Sequence, residues 1–440
     1  MKNKKWMAIL LGGIMAASLA APCSVSAAEK TTLTFWHAMG GTNGEVLQQI
    51  VDDFNASQDE IEVKAEYQGT YDDTITKLKA AMQSDSGLPD VCQMYDVGTK
   101  FMYDSGAVIP VEDKFESTGY DKSSVMDVIS SYYTVDGKQY AMPFNVSTPM
   151  LYYNKDVFEA AGLDPETPPT TYDEVLEDAK KIVESGAAPV GYSQAIYGWF
   201  FEQQLAGLGV TYGNNDNGRT EAVTAVDFDS NGGGLKVFDM WKKLYDSGYF
   251  EDYGTTTADT QTAFFSGQVG MIIESTAILK NAVDSSPFEV GTGYLPRIEQ
   301  NDEGGVIIGG GSLWLTDTGN EANEDAAWKF IEYITTPDVQ AKWSMGTGYF
   351  AINEKAYETD DMKAYLKENP NFETAINQLK DSPVNCNTAG VLSGVQTEAR
   401  LTFNEIMPQV YDGKLTTQDA VDQLAASVNK AIENYNESIK

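Results

Sequence analysis

Two α/β lobes joined by extended crossing segments form the architecture that the sequence predicts. The first hundred residues alternate strand-like and amphipathic helix-like segments, which is typical of a parallel sheet covered by helices. Three later extended stretches, 139–154, 267–275 and 306–316, are candidate crossings between lobes. A chain of 440 residues can also form two or three domains with full cores. This pattern indicates a hinged clamshell that holds a ligand between its lobes.

The first lobe is predicted from short elements that follow each other closely. Leu47, Ile50, Val51 and Phe54 form one apolar stripe at helical spacing and predict a helix over 44–55. The other elements predicted here are strands at 33–36, 61–67 and 89–94 and a helix at 71–82.

The stretch 139–154 is a candidate connector because it contains Pro143 and Pro149. Proline cannot donate a ladder hydrogen bond, so two of them fit poorly in the middle of a sheet. Thr171 and Glu174 then form a capping-box pattern, which predicts a helix to about residue 185. Apolar stripes predict further helices around 238–245, 328–333 and 421–432.

These elements give the predicted domain bounds. Residues 1–28 are a signal peptide. Residues 29–143 and 276–314 form the first lobe, and residues 144–275 and 315–440 form the second, whose C-terminal part is rich in helices.

The first 28 residues have the pattern of a secretory signal. Three lysines within the first five residues precede an uncharged run over 6–21 and then small residues over 24–28. A run of about 16 residues is too short to span a bilayer. We therefore expect secretion across the cytoplasmic membrane to the periplasm or the cell surface. A lipid anchor at Cys23 is the alternative, which the preceding Pro22 disfavours.

The charge excludes several classes of partner. The chain has 65 acidic and 30 basic residues and a net charge of −35. Such a protein has no surplus of cations to neutralise phosphates, so we expect neither nucleic acid nor an anionic membrane surface as partner. With His37 as its single histidine, a histidine-based metal site is not expected. Cys92 and Cys386 are expected to be separate thiols, with a disulfide as the alternative.

No catalytic motif stands out from the sequence. The glycines at 309–311 lie in a strand-like stretch and lack the lysine of a phosphate-binding loop, so they indicate a backbone that closely approaches a ligand or a hinge bend. We expect no enzyme. An exported hydrolase with paired carboxylates and an adhesion or scaffold protein are the alternatives.

Arginine is scarce, with only Arg219, Arg297 and Arg400 in the chain. Arg219 lies in a loop rich in Gly and Asn, where we expect it to be solvated. Arg400 lies in a helical segment, where composition alone favours an ion pair with a nearby carboxylate.

Five passages carry a resemblance to a known family. They lie at 35–39, 93–99, 143–156, 307–314 and 347–349. Through them the chain resembles the extracellular solute-binding proteins of ABC importers, over nearly all of residues 32–435. Within that family it is similar to the members that bind sn-glycerol-3-phosphate. The resemblance implies a type II, maltose-binding-protein-like fold with two lobes and hinged crossing strands. It also implies a monomer without catalytic activity, cofactor or metal, which delivers its solute to a membrane permease and its ATPase.

The resemblance further implies a set of ligand contacts. These are Tyr71, Asp96, Ser147, Ser275, Gly310, Tyr349 and Arg400. Hydroxyl groups, a backbone N–H and a planar guanidinium suit a phosphate, because the guanidinium can bind two oxygens at once. A carboxylate suits the hydroxyl groups of a polyol.

Two positions depart from the family pattern. Asp96 stands where the family has Glu, and Ile196 stands where the family has Trp. Tyr197 or Trp199 is the candidate aromatic wall in its place. Both departures concern the glycerol end, so the resemblance implies sn-glycerol-3-phosphate or a glycerophosphodiester as ligand. A neutral sugar or oligosaccharide is the alternative.

Overall fold

The computed structural model describes residues 30–84 and 87–439, so the predicted signal peptide and Cys23 lie outside the described residues. The strands of the described part are β1 Thr31–His37, β2 Ile61–Tyr67, β3 Val91–Tyr95, β4 Val108–Ile109, β5 Thr134–Val135, β6 Lys138–Gln139, β7 Met142–Ser147, β8 Pro149–Asn154, β9 Val190–Ser193, β10 Val269–Ser275, β11 Val290–Gly293 and β12 Gly309–Thr316. Its helices are α1 Gly41–Ser57, α2 Tyr71–Met82, α3 Thr99–Asp104, α4 Glu112–Thr118, α5 Asp127–Ser130, α6 Lys155–Ala160, α7 Tyr172–Ser185, α8 Gly198–Gly207, α9 Asn214–Gly218, α10 Gly233–Asp246, α11 Thr257–Phe265, α12 Leu279–Ser285, α13 Glu321–Ile334, α14 Pro337–Thr347, α15 Asp360–Glu368, α16 Asn371–Asp381, α17 Gln396–Tyr411 and α18 Thr417–Ser438.

The first lobe is built on a sheet with the strand order β2-β1-β3-β12-β4, and β7 also pairs with β12. Strand β1 is parallel to both β2 and β3, whereas β12 is antiparallel to β3, β4 and β7. The parallel part arises from the predicted βαβαβ segment. The four residues of the apolar stripe in α1 are all buried, which confirms the prediction of this helix.

The second lobe is built on a sheet with the strand order β11-β8-β10-β9. Its core packs α8, α10, α17 and α18 together through buried aromatic and aliphatic side chains such as Phe201, Trp241 and Phe403. The predicted capping box opens α7, since the Thr171 hydroxyl accepts from the Glu174 N–H and the Glu174 carboxylate accepts from the Thr171 N–H.

The chain crosses between the lobes at places that the sequence predicted in part. It passes from β7 to β8 at Thr148, whose N–H donates to the Thr276 hydroxyl at 3.1 Å. The stretch 306–316 contains the end of a second crossing, from β11 to β12. The prediction for 267–275 is wrong, because β10 lies inside the second sheet, between β8 and β9.

The sheets divide the chain differently from the predicted bounds at two places. Strand β11 pairs with β8, so residues 290–293 belong to the second lobe. Helices α13 and α14 pack on β1, β12 and α1, so residues 321–347 belong to the first lobe. The reason is that β12 enters the middle of the first sheet, and the helices that follow it cover that sheet.

Cys92 and Cys386 are free, which agrees with the expectation of separate thiols. Among the helices of residues 30–84 and 87–439, none combines the length and the apolar composition needed to cross a bilayer.

Candidate ligand-binding site

The predicted ligand residues lie at element ends on the facing sides of the two lobes. From the first lobe, Tyr71 begins α2, Asp96 follows β3, Ser147 ends β7, Gly310 lies in β12 and Tyr349 follows α14. From the second lobe come Ser275 at the end of β10, Tyr197 and Trp199 at the start of α8, and Arg400 in the second turn of α17.

Arg400 is the centre of this site and forms ion pairs with two buried carboxylates. Its Nε donates to Glu202 Oε1 and its Nη2 to Glu202 Oε2, both at 2.7 Å. Its Nη2 also donates to Asp96 Oδ2 at 2.9 Å. All three side chains are at most 8% exposed. Glu202 and Arg400 belong to the second lobe and Asp96 to the first, so this cluster joins the lobes across the cleft.

Burial and charge act in opposite directions on these groups. Burial raises the pKa of Glu202, and the Arg400 charge opposes that rise only in part. Burial lowers the pKa of Arg400, but the charges of Asp96 and Glu202 outweigh it and hold that pKa well above its usual value. The guanidinium therefore stays charged at any pH at which the protein is folded.

The packing of α8 against α17 fixes this arrangement. A Cβ at Gly198 would lie 2.5 Å from the Arg400 Cα, so only glycine permits this approach of the two helices. The Gly198 N–H also donates to Asn404 Oδ1 at 2.9 Å. The first turn of α8 is thereby held against the turn of α17 that carries Arg400, which brings Glu202 within reach.

Tyr71 and Tyr349 lie in a polar network of the first lobe. Asn145 Nδ2 donates to the Tyr71 hydroxyl at 2.7 Å, and Gln93 Nε2 donates to Asn145 Oδ1 at 2.7 Å. The Tyr349 ring stacks on Trp343 with centroids 5.7 Å apart. These contacts hold the tyrosine hydroxyls in place before a ligand arrives.

Tyr95 connects this network to the Arg400 helix. Its ring stacks on Tyr71 at 5.2 Å, and its hydroxyl donates to Asp72 and lies 2.7 Å from the Thr397 hydroxyl. Thr397 precedes Arg400 by one helical turn. Tyr95 and Thr397 therefore connect Tyr71 to the helix that carries Arg400.

Gly310 is required by the backbone path of β12. Its φ is +95°, and a Cβ there would lie 1.9 Å from the Asn145 carbonyl oxygen. The sequence interpretation was an approach of the backbone to a ligand or a hinge bend, whereas the close approach seen here is to the backbone of β7. The next strand position, Gly311, would bring a Cβ within 2.8 Å of Asn145 Oδ1.

The two candidate wall residues occupy different places. The Tyr197 ring lies 6.0 Å from the Arg400 guanidinium carbon. Trp199 is buried against Gly309 of the first lobe, and its Nε1–H has no hydrogen-bond partner in the described part of the chain. The buried Nε1–H groups of Trp314 and Trp343 are likewise unpaired in the described residues, but Trp199 lies at the lobe boundary, where a polar solute could accept its hydrogen bond. Ile196 is buried in the core of the second lobe.

The side chains of Ser147 and Ser275 form no hydrogen bond with Arg400, Asp96 or Glu202 in the described part of the chain. Ser147 is buried and pairs with Gly309 in the sheet. The Ser275 hydroxyl accepts from the Ala277 N–H at 3.1 Å, so one of its lone pairs is occupied.

Sequence reasoning missed three groups that shape this site, Glu202, Glu274 and Asn145. Glu274 is buried beside Ser275, and burial raises its pKa to about 7. The signal for Glu202 was its position, because Glu202, Gln203 and Gln204 are the polar residues of an otherwise apolar helix. Such buried polar residues need partners, and Arg400 is the partner of Glu202.

The expectation that Arg219 is solvated is wrong. Its guanidinium donates to main-chain carbonyl oxygens of Tyr132, Ala389 and Gly390, and it lies over the Tyr132 ring. The loop turns inward because Asn215, Asp216 and Asn217 adopt left-handed backbone conformations.

A cavity of about 560 Å³ lies elsewhere, between the segment 292–306, α8 and α16. None of the predicted ligand residues lines it. The cleft around Arg400 remains the better candidate, because it brings together buried charges from both lobes and an unpaired donor.

The family is decided by comparison with known proteins. A family profile described as bacterial extracellular solute-binding protein matches residues 49–374. The chain belongs to this family. The solute-binding protein is also 30% identical over 417 residues to the sn-glycerol-3-phosphate-binding periplasmic protein UgpB of Escherichia coli K12, which covers 93% of this chain and 94% of the relative.

Solved structures confirm the two-lobed fold of the solute-binding protein. The cyclic α-maltosyl-1,6-maltose binding protein of Arthrobacter globiformis superposes with a TM-score of 0.77 at 26% identity, over 92% of this chain and 100% of that chain. UgpB of Mycobacterium tuberculosis, in complex with glycerophosphocholine, superposes with a TM-score of 0.79 at 21% identity, over 93% and 100%.

Family membership settles the class of activity. The solute-binding protein is the binding component of an ABC importer and is not an enzyme. The alternatives of an exported hydrolase and of an adhesion protein are therefore wrong.

Proposed function

We propose that the solute-binding protein captures sn-glycerol-3-phosphate or a glycerophosphodiester in the cleft between its lobes. The observation that carries this proposal is the orientation of Arg400. Its Nε and Nη2 are bound to carboxylates, whereas its Nη1 has no partner among the described residues. A phosphate oxygen is a strong acceptor for those two free N–H groups.

The surroundings of Arg400 support the same ligand class. The hydroxyls of Tyr71 and Tyr349 and the buried Asp96 lie on the opposite lobe. Hydroxyl donors suit phosphate oxygens, and a carboxylate suits the hydroxyl hydrogens of glycerol. The relative at 30% identity is named for binding sn-glycerol-3-phosphate.

A neutral sugar or oligosaccharide is the second candidate. Asp96 and Glu202 are buried against one guanidinium, Glu274 is a further buried carboxyl group, and carboxylates are good acceptors for sugar hydroxyls. Tyr197 and Trp199 offer aromatic surface on which a sugar ring can stack. The structural relative at 26% identity is a cyclic α-maltosyl-1,6-maltose binding protein.

Calorimetric titration with sn-glycerol-3-phosphate, glycerophosphocholine and maltose distinguishes these candidates. We expect a phosphate ligand to bind, and Arg400→Gln to weaken it by about tenfold to hundredfold, since hydrogen bonds to charged groups contribute about 1.5–3 kcal/mol. Arg297→Gln is the matched control, because Arg297 is exposed and its side chain has no hydrogen bond among the described residues. Binding of maltose alone would replace the phosphate assignment by the sugar.

The proposed function ends with delivery of the solute at the membrane. A secreted monomer in the periplasm or on the cell surface, with or without lipid at Cys23, closes on its solute and presents the closed lobes to the permease and its ATPase. Mass spectrometry of the exported protein tests both the removal of residues 1–28 and the lipid.

A further inference from the structure

The partners of Arg400 indicate how the cleft selects among phosphates. Glu202 holds the guanidinium side-on through two bonds of 2.7 Å, and Gln396 Nε2 donates to Glu202 Oε1 at 2.9 Å. Glu202 is therefore itself fixed by three hydrogen bonds. Because both carboxylate oxygens are in use, Glu202 has no role as a direct ligand in this arrangement.

The remaining donors of Arg400 all belong to one nitrogen, Nη1. A guanidinium has five N–H groups, and Nε and both hydrogens of Nη2 are occupied by Glu202 and Asp96. Only the Nη1 group is left for a solute. A phosphate can therefore bind through Nη1 alone. It cannot form the side-on pair of bonds, one from Nε and one from Nη2, that Arg400 forms with Glu202.

The charges around Arg400 also limit what it can neutralise. One guanidinium faces Asp96 and Glu202, and Glu274 acts on the same Tyr197 ring as these three groups. A doubly charged phosphate monoester meets more carboxylate than guanidinium charge here. A phosphodiester carries one negative charge, so it is repelled less.

We propose that Glu202 is a positioning residue that directs Arg400 Nη1 toward the cleft and makes the cleft prefer phosphodiesters over phosphate monoesters. This inference rests on the proposed function, because it requires that a phosphate binds beside Arg400. The Glu202 carboxylate does so by occupying the guanidinium edge that would otherwise grip a dianion, and by adding a negative charge behind it.

The test compares two ligands that differ by one methyl group and one charge, sn-glycerol-3-phosphate and its methyl phosphodiester, at pH 7.5. We expect wild type to bind the diester about tenfold or more tightly, as expected for one unit of repulsion between partly buried charges. Glu202→Gln should reduce this preference by about tenfold, mainly by improving monoester binding. Glu202→Asp keeps the charge and should keep the preference, even if both affinities fall.

The matched control is Glu398→Gln, which removes one charge from an exposed position of the same helix α17. It should leave the preference unchanged. Circular dichroism before and after titration verifies that each variant is folded. A merely structural role of Glu202 would weaken both ligands equally and leave their ratio intact.

Three outcomes would overturn the inference. An unchanged ratio in a folded Glu202→Gln protein removes Glu202 as a determinant. A wild-type preference for the monoester overturns the inference without any variant. If neither phosphate binds while maltose does, the proposed function itself fails, which is distinguishable from the first two outcomes.

Discussion

Arg400 Nη2 and Asp96 Oδ2 lie 2.9 Å apart across the cleft, and this ion pair joins the two lobes of the solute-binding protein. The other partner of Arg400, Glu202, lies in the same lobe as Arg400. Glu202 therefore orients the guanidinium within one lobe, whereas the bond to Asp96 can form only when the two lobes are close together. Of the bonds that Arg400 makes, opening of the cleft breaks the one to Asp96 and leaves those to Glu202.

Asp96→Asn should open the ligand-free protein. The amide cannot form the charged bond, so the closed form loses about 1.5–3 kcal/mol relative to the open form. Small-angle X-ray scattering without ligand should show a larger radius of gyration than for wild type. Asp59→Asn is the control. Asp59 is fully exposed, and its ion pair with Lys30 Nζ is long, at 3.8 Å. Superimposable curves for wild type and Asp96→Asn would show that this pair does not hold the lobes together.

Arg219→Ala should destabilise the folded protein. The substitution leaves the carbonyl oxygens of Tyr132, Ala389 and Gly390 without their donor. We expect the free energy of unfolding in urea to fall by about 2–4 kcal/mol. The control Arg297→Ala, at an exposed side chain, should change it by less than about 0.5 kcal/mol. Equal effects of the two substitutions would contradict a structural role of Arg219.

Glu274→Gln should remove a pH dependence of stability. Burial raises the Glu274 pKa from 4.5 to about 7, so the folded protein holds this proton to higher pH than the unfolded chain does. The contribution of this group to the free energy of unfolding is fully present below pH 4.5, where Glu274 is protonated in both states. It is lost as the pH rises through 7. This loss amounts to about 3 kcal/mol.

The measurement is urea unfolding of wild type and Glu274→Gln at pH 4.5, 6 and 8. The variant should gain stability relative to wild type as the pH rises, because the amide stays neutral. Comparing the two proteins at each pH cancels the other titrating groups. A difference that is constant with pH would show that Glu274 titrates as an ordinary carboxyl group.

Gly310→Ala should disturb the pairing of β7 with β12. Its Cβ would meet the Asn145 carbonyl at 1.9 Å, and its φ of +95° is strained for alanine. Gly319→Ala is the matched control, since Gly319 has a φ of +69° with open space around it. We expect a loss of about 1–2 kcal/mol in the control from backbone strain alone, and a larger loss at Gly310. Thermal unfolding that ranks the two variants equally would exclude the close approach as the reason for this glycine.

The local pattern of the chain determined much of the fold. The stripe of Leu47, Ile50, Val51 and Phe54 and the capping box at Thr171 gave the right helices, because helical periodicity and end-capping are properties of neighbouring residues. The resemblance to a known family implied Asp96 and Arg400 together, which lie 304 positions apart and yet form an ion pair.

Only the tertiary structure decided what Arg400 does in the cleft. The sequence contains 65 acidic residues, and nothing in their spacing shows that Glu202 is a partner of Arg400. That contact depends on Gly198, which allows α8 and α17 to approach closely. The inward orientation of Arg219 and the position of β10 inside a sheet were missed for the same reason. Long-range packing selects the partner of a buried polar group or of a strand, and spacing along the chain does not specify that partner.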